Sequence, residues 1–312
     1  MELDMRVLRY FVAVAEDLHF GHAASRLHVS QPALSVQIRK LERMLGVDLF
    51  KRTSRRVELT EAGLAILEEA RATLAAADRT LAVARSAARG KRRLTVGFVA
   101  NAAAELTPVI LQEFGRLHSG VDIHMRQYAF TDPLAGLGNG EVDVAFVRPP
   151  VQSGPTIESA TILSEERVLI LSESHALAQQ PWVTVDMLLN EPFVARRAPR
   201  DWRDFWLGVD HRGGHEARIG AEVSTVDECL EAILTDRGIA FTQASSQRFY
   251  ARPGLAFVPV AGLSGSTVAV AWRRDSAGPL VDAFVSTARV VGGSGCTIPA
   301  PDRPAPAWPA GA

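Results

Sequence analysis

His19–Lys40, HFGHAASRLHVSQPALSVQIRK, is the stretch whose reading decides the fold of this 312-residue chain. It reads as two short helices joined by a tight turn. Ala23, Ala24 and Leu27 share one side of the first helix, and the small alanines let a neighbouring helix approach closely. Val29 fills the turn. Ser30 is typed to cap the second helix, its hydroxyl accepting an orphan backbone N–H, with Pro32 tolerated in the first turn. Leu34, Ile38 and Leu41 run along the buried side. Gln31, Ser35, Gln37 and Arg39 face outward with donors and acceptors suited to base edges and phosphates. The pattern implies a helix-turn-helix whose second helix enters the major groove of double-stranded DNA.

Charge supports that reading once the chain is divided. The net charge is −1, but residues 1–93 carry 17 of the 34 basic and 11 of the 35 acidic side chains. The first part is thus basic, and the remainder, with 17 against 24, acidic. Such asymmetry suggests a nucleic-acid module joined to an acidic partner domain. Leu3–Glu16 is expected to form a preceding helix with Leu8, Phe11, Val12 and Ala15 inward. Residues 48–59, DLFKRTSRRVEL, read as two short strands around a basic turn, the wing of a winged helix. Lys51, Arg52, Arg55 and Arg56 would lie along the backbone or reach a minor groove.

At this point a resemblance becomes specific. Phe20-x-x-Ala23-Ala24-x-x-Leu27-x-Val29-Ser30-Gln31-Pro32-Ala33-Leu34-Ser35 resembles the amino-terminal domain of the LysR-type transcriptional regulators. The likeness continues through Ile38-x-x-Leu41-Glu42, Leu45-Gly46-Val47-x-Leu49-Phe50-x-Arg52 and Leu59-Thr60-x-x-Gly63. With the pattern it assigns to DNA His19, Phe20, His22, Ser30, Gln31, Pro32, Ala33, Ser35, Gln37, Arg39, Lys51, Arg52, Arg55 and Arg56.

Thr60 caps the next expected helix, which runs to about Ala88. Leu67, Leu74, Leu81 and Ala88 recur every seven residues with Ala70, Ala77 and Ala84 between, a Leu/Ala seam suited to pairing with a second copy or docking on its own domain. The resemblance favours pairing, and so a homodimer or homotetramer on dyad-symmetric promoter DNA. Beyond the Arg89–Arg93 linker, apolar strands interleave with helices: strands at 94–99, 121–127, 142–147, 167–171, 193–195, 239–242 and 267–272, helices at 104–118, 133–137, 184–189, 226–235 and 279–290. That order argues for parallel α/β sheets. The whole is an α+β multidomain fold. Residues 1–60 would be the winged helix-turn-helix and 61–89 a linker helix. Residues 90–290 would form a two-subdomain effector domain similar to type 2 periplasmic binding proteins, 90–162 with 265–290 and then 163–264, crossing near Leu163 and Ser264. Residues 291–312, rich in Pro, Ala and Gly, read as a disordered tail.

Ligands of open α/β sheets bind beyond the carboxyl ends of strands. Asn101 and Ala102 open one such loop, where backbone amides at a helix start could receive an anion. Thr131 lies in a second. Arg148, followed by Pro149, offers a fixed fork for a carboxylate; its alternative role is an ion pair with Asp132 or a subdomain clasp. In the branch of the family that senses aromatic-degradation intermediates, an arginine at this motif position contributes to effector binding. Arg196, Trp202, Phe205, Ser224 and Thr225 would face it, giving a small, aromatic or enoyl, carboxylate effector. By the resemblance, effector binding changes the subdomain angle, the DNA bend and the access of RNA polymerase.

Other classes find little support. No apolar run is long enough to span a membrane, and the acidic start MELDM is no signal peptide. Cys229 and Cys296, far apart, read as reduced thiols of a cytoplasmic protein. His211 and His215 are separated by Arg-Gly-Gly, which disfavours the helix that a metal pair at that spacing needs. Gly136–Gly140 precedes a strand rather than following one, and there is no Gly-x-Ser-x-Gly elbow and no P-loop, so neither an enzyme nor a cofactor is expected. The alternative to a regulator is a solute-binding or catalytic α/β domain with a helical appendage.

Overall fold

A computed structural model of the chain describes residues 3–52, 56–88, 92–151, 154, 156–293 and 297–298. They fall into two units, the first ending at Gly90 and the second beginning at Lys91.

In the first unit three helices, α1 (Met5–Asp17), α2 (Phe20–Arg26) and α3 (Gln31–Leu45), precede a two-stranded ribbon, β1 (Phe50–Arg52) and β2 (Val57–Leu59), and a long helix, α4 (Glu61–Ala88). Each start is capped locally. Asp4 accepts Arg6 N–H at 2.8 Å, and Ser30 Oγ accepts Ala33 N–H at 3.4 Å. Thr60 Oγ1 accepts Gly63 N–H at 2.9 Å. Gly63 has to be small, since a Cβ there would lie 2.3 Å from the Leu49 carbonyl oxygen. Phe11, Val14, Ala23, Leu34, Ile38, Leu41 and Leu49 make the core. Val14 takes the inward place on α1 that the spacing assigned to Val12, which is half-buried. The first half of the Leu/Ala seam is used inside the unit: Ala70 and Leu74 are buried and Leu67 packs on the same core. Leu64 and Leu81 stay exposed.

The second unit runs β3 (Arg92–Val99), α5 (Leu106–Leu117), β4 (Val121–Tyr128), β5 (Val144–Val147), β6 (Ile157–Glu165), β7 (Arg167–Ser172), β8 (Val183–Thr184) and β9 (Phe193–Arg196). There follow α6 (Arg200–Leu207), β10 (Ile219–Val223), α7 (Val226–Leu234), β11 (Ala240–Gln243), α8 (Ser246–Phe249), β12 (Leu255–Ala261), β13 (Ser266–Arg273), α9 (Pro279–Gly292) and β14 (Thr297–Ile298). One sheet has the order β14-β6-β13-β5-β3-β4, a second β11-β7-β12-β8, and β9 and β10 form a parallel pair. The sheets are mixed rather than parallel. β3 runs parallel to β4 and β5, whereas β13 is antiparallel to β5 and β6, and β7 to β11 and β12. A chain that crosses between two sheets and returns lays its crossing strands against the parallel set in the opposite sense.

The chain passes between the sheets at Glu166 and again over residues 262–265. Arg167 fastens the two crossings, donating Nε to the Ser264 carbonyl and Nη2 to its hydroxyl, both at 2.7 Å. Residues 133–137 form turns, not the expected helix, and 184–189 a strand end with one 3-10 turn at Asp186–Leu188. Within the expected tail, Thr297 and Ile298 pair in parallel with Ser164 and Glu165, so a disordered tail does not begin at 291; residues 299–312 lie outside the described residues. Among the described residues no helix is long and apolar enough to cross a membrane.

Candidate DNA-reading surface and effector cleft

Along α3, Gln31, Pro32, Ala33 and Arg39 are exposed, and Ser35 and Gln37 half-buried. Ser30 spends its hydroxyl on the cap. His19 does likewise for α2, its Nδ1 accepting His22 N–H at 3.2 Å with the two rings stacked 4.2 Å apart. Both imidazoles remain exposed. Arg39 and Lys51 form no ion pair with any described residue, so their charges are available to phosphates.

Two of the expected contacts are placed differently. Phe20 is buried, its ring edge-on to Phe50 at 5.8 Å, because an apolar ring at the start of α2 gains more from the core than from water. Arg52 is committed within the unit. Its guanidinium lies 4.7 Å over Phe20 and its Nη2 is 2.5 Å from Glu42 Oε2. The buried Glu42 carboxylate also accepts Leu49 N–H at 3.1 Å and Phe50 N–H at 3.3 Å. Glu42 and Arg52 therefore tie the ribbon to α3 and set where Lys51 and Arg56 stand. Arg56 pairs with Glu58 at 2.8 Å, and Arg55 lies outside the described residues. One residue was missed. Val36, 55% exposed on α3, shares the face of Pro32 and Arg39 at helical spacing. A branched apolar side chain among polar neighbours was its only signal.

In the second unit two small adjoining cavities, of about 30 and 20 Å³, open between the sheets. One is walled by Ile170, Cys229, Leu230, Thr242 and Tyr250, the other by Val99, Ala102, Phe146, Arg148, Trp202 and Trp206. Ala100, Phe130, Arg196 and Gln243 line both. Of the expected effector residues, Ala102, Arg148, Arg196 and Trp202 meet here. Asn101 stands beside them, accepting from Gln243 Nε2 at 2.8 Å and donating to Ser245 Oγ at 2.9 Å, a bridge between the sheets.

Thr131, Pro149, Phe205, Ser224 and Thr225 line neither cavity. Thr131 is exposed, and its neighbour Phe130 turns inward, with its backbone N–H on Ser224 O at 2.8 Å. Thr225 caps α7 by accepting Glu228 N–H, while Ser224 N–H donates to the Glu228 carboxylate at 2.6 Å. Phe205 lies under Arg167 at 4.0 Å and accepts from its Nη1 through the carbonyl. The expected anion-binding amides are also spoken for. α5 begins only at Leu106, and the amides of Ala102, Ala103 and Ala104 donate to Val99 O, Thr107 Oγ1 and Asn101 O.

The arginines differ in how they are neutralised. Arg148 donates Nη2 to Glu165 Oε1 at 2.7 Å, with both side chains buried, while Trp202 Nε1 donates to the Arg148 carbonyl at 2.9 Å. The ion pair is with Glu165, not Asp132. Arg196, 7% exposed, has no carboxylate partner among the described residues. Its Nη2 donates to Phe241 O at 3.0 Å and its guanidinium lies 4.1 Å over the Trp206 ring. Burial pushes it down from 12.5 to about 10, against a raising effect of Cys229 and with further lowering from Arg148 and Arg167. At 1.36 kcal/mol per pH unit this is a charge penalty of about 3 kcal/mol. Burial also pushes Tyr250 up to about 12 and Cys229 above its usual range, so both keep their protons at neutral pH.

Two family models match the chain. That of the bacterial regulatory helix-turn-helix protein, lysR family, covers residues 5–64, and that of the LysR substrate binding domain covers 87–291. The chain belongs to the LysR family. The HTH-type transcriptional regulator AlsR of Bacillus subtilis is 32% identical over 288 residues, 91% of this chain and 94% of that one. ClcR of Pseudomonas putida is 31% identical over 290 residues, 91% and 97% of the two chains. The crystal structure of CbnR, a LysR family transcriptional regulator, aligns with a TM-score of 0.63 at 28% identity, covering 94% of this chain and all of that one. Full-length CbnR complexed with its target DNA aligns at 0.61 and 27%, covering 93% and 100%. This LysR-family chain is a DNA-binding transcriptional regulator with an effector-binding domain.

Proposed function

We propose that this regulator binds promoter DNA as a homodimer or homotetramer and responds to a small carboxylate held between the two sheets of its effector domain. The DNA reading gives Gln31, Ser35 and Val36 the base edges and Arg39 and Lys51 the phosphates. Arg39→Ala should weaken every site alike and lower the slope of log affinity against log salt by about 0.9, as for one lost phosphate contact. Val36→Ala should instead change preference at a single base pair, worth about 1–3 kcal/mol, because a branched methyl suits the thymine C5-methyl. Competition binding on a randomised operator at two salt concentrations separates the two; equal loss across all sequences for Val36→Ala would remove it from the reading set.

Pairing of copies rests on the exposed leucines of α4, apolar surface that a second helix would cover. Leu81→Glu should lower the solution mass measured by light scattering and weaken binding to a dyad site while leaving the melting temperature within a few degrees. An unchanged mass would place the interface elsewhere.

The effector reading is carried by one observation: a buried guanidinium without a counter-ion at a cavity wall. The surrounding Phe130, Trp202 and Trp206 suit a planar body, which supports reading the effector as an aromatic-degradation intermediate. A promoter–reporter screen over aromatic and enoic acids tests it, and a response confined to uncharged inducers would overturn it.

A further inference from the structure

Around the cavity lined by Arg148, Trp202 and Trp206, three buried N–H donors lack an acceptor among the described residues: Arg148 Nε, Arg196 Nε and Trp206 Nε1. Buried donors are usually satisfied; three others without a partner among the described residues lie on Arg203 and Arg212, and these three are grouped at one cavity. Arg148 already has a carboxylate in Glu165. Arg196 has none, and its side chain reaches the wall common to both cavities. The neighbouring cavity is bounded by Ile170, Cys229 and Leu230 together with the polar side chains of Thr242, Ser246 and Tyr250.

We infer that Arg196, and not Arg148, is the effector's anion receptor, and that the ligand is a monocarboxylate with a flat apolar body. The carboxylate would sit beside Arg196 and Trp206 at the cavity that Arg148 also lines, and the body would widen the small space beside Ile170 and Leu230 on binding. One carboxylate supplies acceptors for these donors and the counter-charge that the chain withholds. Arg148 then acts as a positioning residue, holding the two sheets through Glu165 and Asn101. The inference rests on the carboxylate reading above and goes further by assigning the grip.

The assignment has an unusual signature, because a buried cation kept for a ligand burdens the empty protein. The full-length chain and its Arg196→Met and Arg196→Lys variants would be melted alone, then with benzoate, cinnamate and their neutral amides as probes. Arg196→Met is expected to melt no lower than the parent without ligand and to lose carboxylate affinity by about tenfold to hundredfold, as for one charge-assisted hydrogen bond. Arg196→Lys should retain part of the carboxylate shift. The amides should give no shift in any of the proteins. A lower melting temperature for Arg196→Met together with an unchanged carboxylate affinity overturns the assignment and leaves the carboxylate reading standing. Absence of a shift for the parent with every acid overturns both.

Discussion

Glu165→Ala should be among the most damaging single changes in the effector domain, costing about 3–5 kcal/mol. Its carboxylate receives Arg148 Nη2 at 2.7 Å and the Ser245 backbone N–H at 2.9 Å, in a place that water does not reach. Removing it strands a guanidinium already 7% exposed and orphans an amide. For a unit of this size that is roughly 6–20 °C in melting temperature. The double change Arg148→Met with Glu165→Leu should recover most of the loss, since a buried ion pair and well-packed apolar side chains are close in free energy. Urea unfolding followed by tryptophan fluorescence reads both, with Trp202 hydrogen-bonded to the Arg148 carbonyl as the local reporter. A cost below 1 kcal/mol for Glu165→Ala would mean that the pair does not hold the sheets.

Glu42→Ala should do comparable harm in the DNA-binding unit, by about 3 kcal/mol, and should weaken promoter binding beyond that loss. Three donors converge on this carboxylate: two ribbon amides and the Arg52 guanidinium at 2.5 Å. Without it the ribbon loses its tie to α3, and Lys51 and Arg56 lose their fixed places beside the reading helix. Glu42→Gln keeps an acceptor for the two amides and should cost less than half as much. Melts by circular dichroism and operator titration at a temperature where both variants remain folded separate stability from positioning. Equal DNA affinity for folded Glu42→Ala would show that the ribbon does not contribute to binding.

Glu42 and Glu165 also mark the limit of what a single sequence discloses. Ser30-Gln31-Pro32 announces a helix start because a cap joins residues three apart. Leu34, Ile38 and Leu41 announce a buried face because their spacing is that of one turn. By contrast, nothing local says that Arg52 turns back to Glu42, or that Arg148 finds Glu165, 17 residues on, rather than Asp132, about as far back. β6 was missed because its sequence, IESATILSE, is polar for a strand that pairs on both sides. β12 carries Pro259, which ordinarily argues against an inner strand. Pro259 is paired with β7 alone, the β8 pairing beginning at Val260, so no ladder donor is lost there. The aromatics of α6 could be read as loop cover, yet they form the wall around Arg196.

A helix-turn-helix reader, a ribbon beside it, a long Leu/Ala helix and an α/β domain are legible in the residues, since capping, periodicity and charge asymmetry act over a few residues and leave their mark in order; the division of that domain in two came from the family resemblance. Only the tertiary structure decided which of the arginines are spent. Arg52 and Arg148 were drawn to buried carboxylates that folding brought within reach, Phe20 was drawn into the core, and Arg196 was left without a carboxylate partner among the described residues. A buried charge is costly unless paired, so the allocation of a few acidic partners across the folded chain decides which cation remains for a ligand.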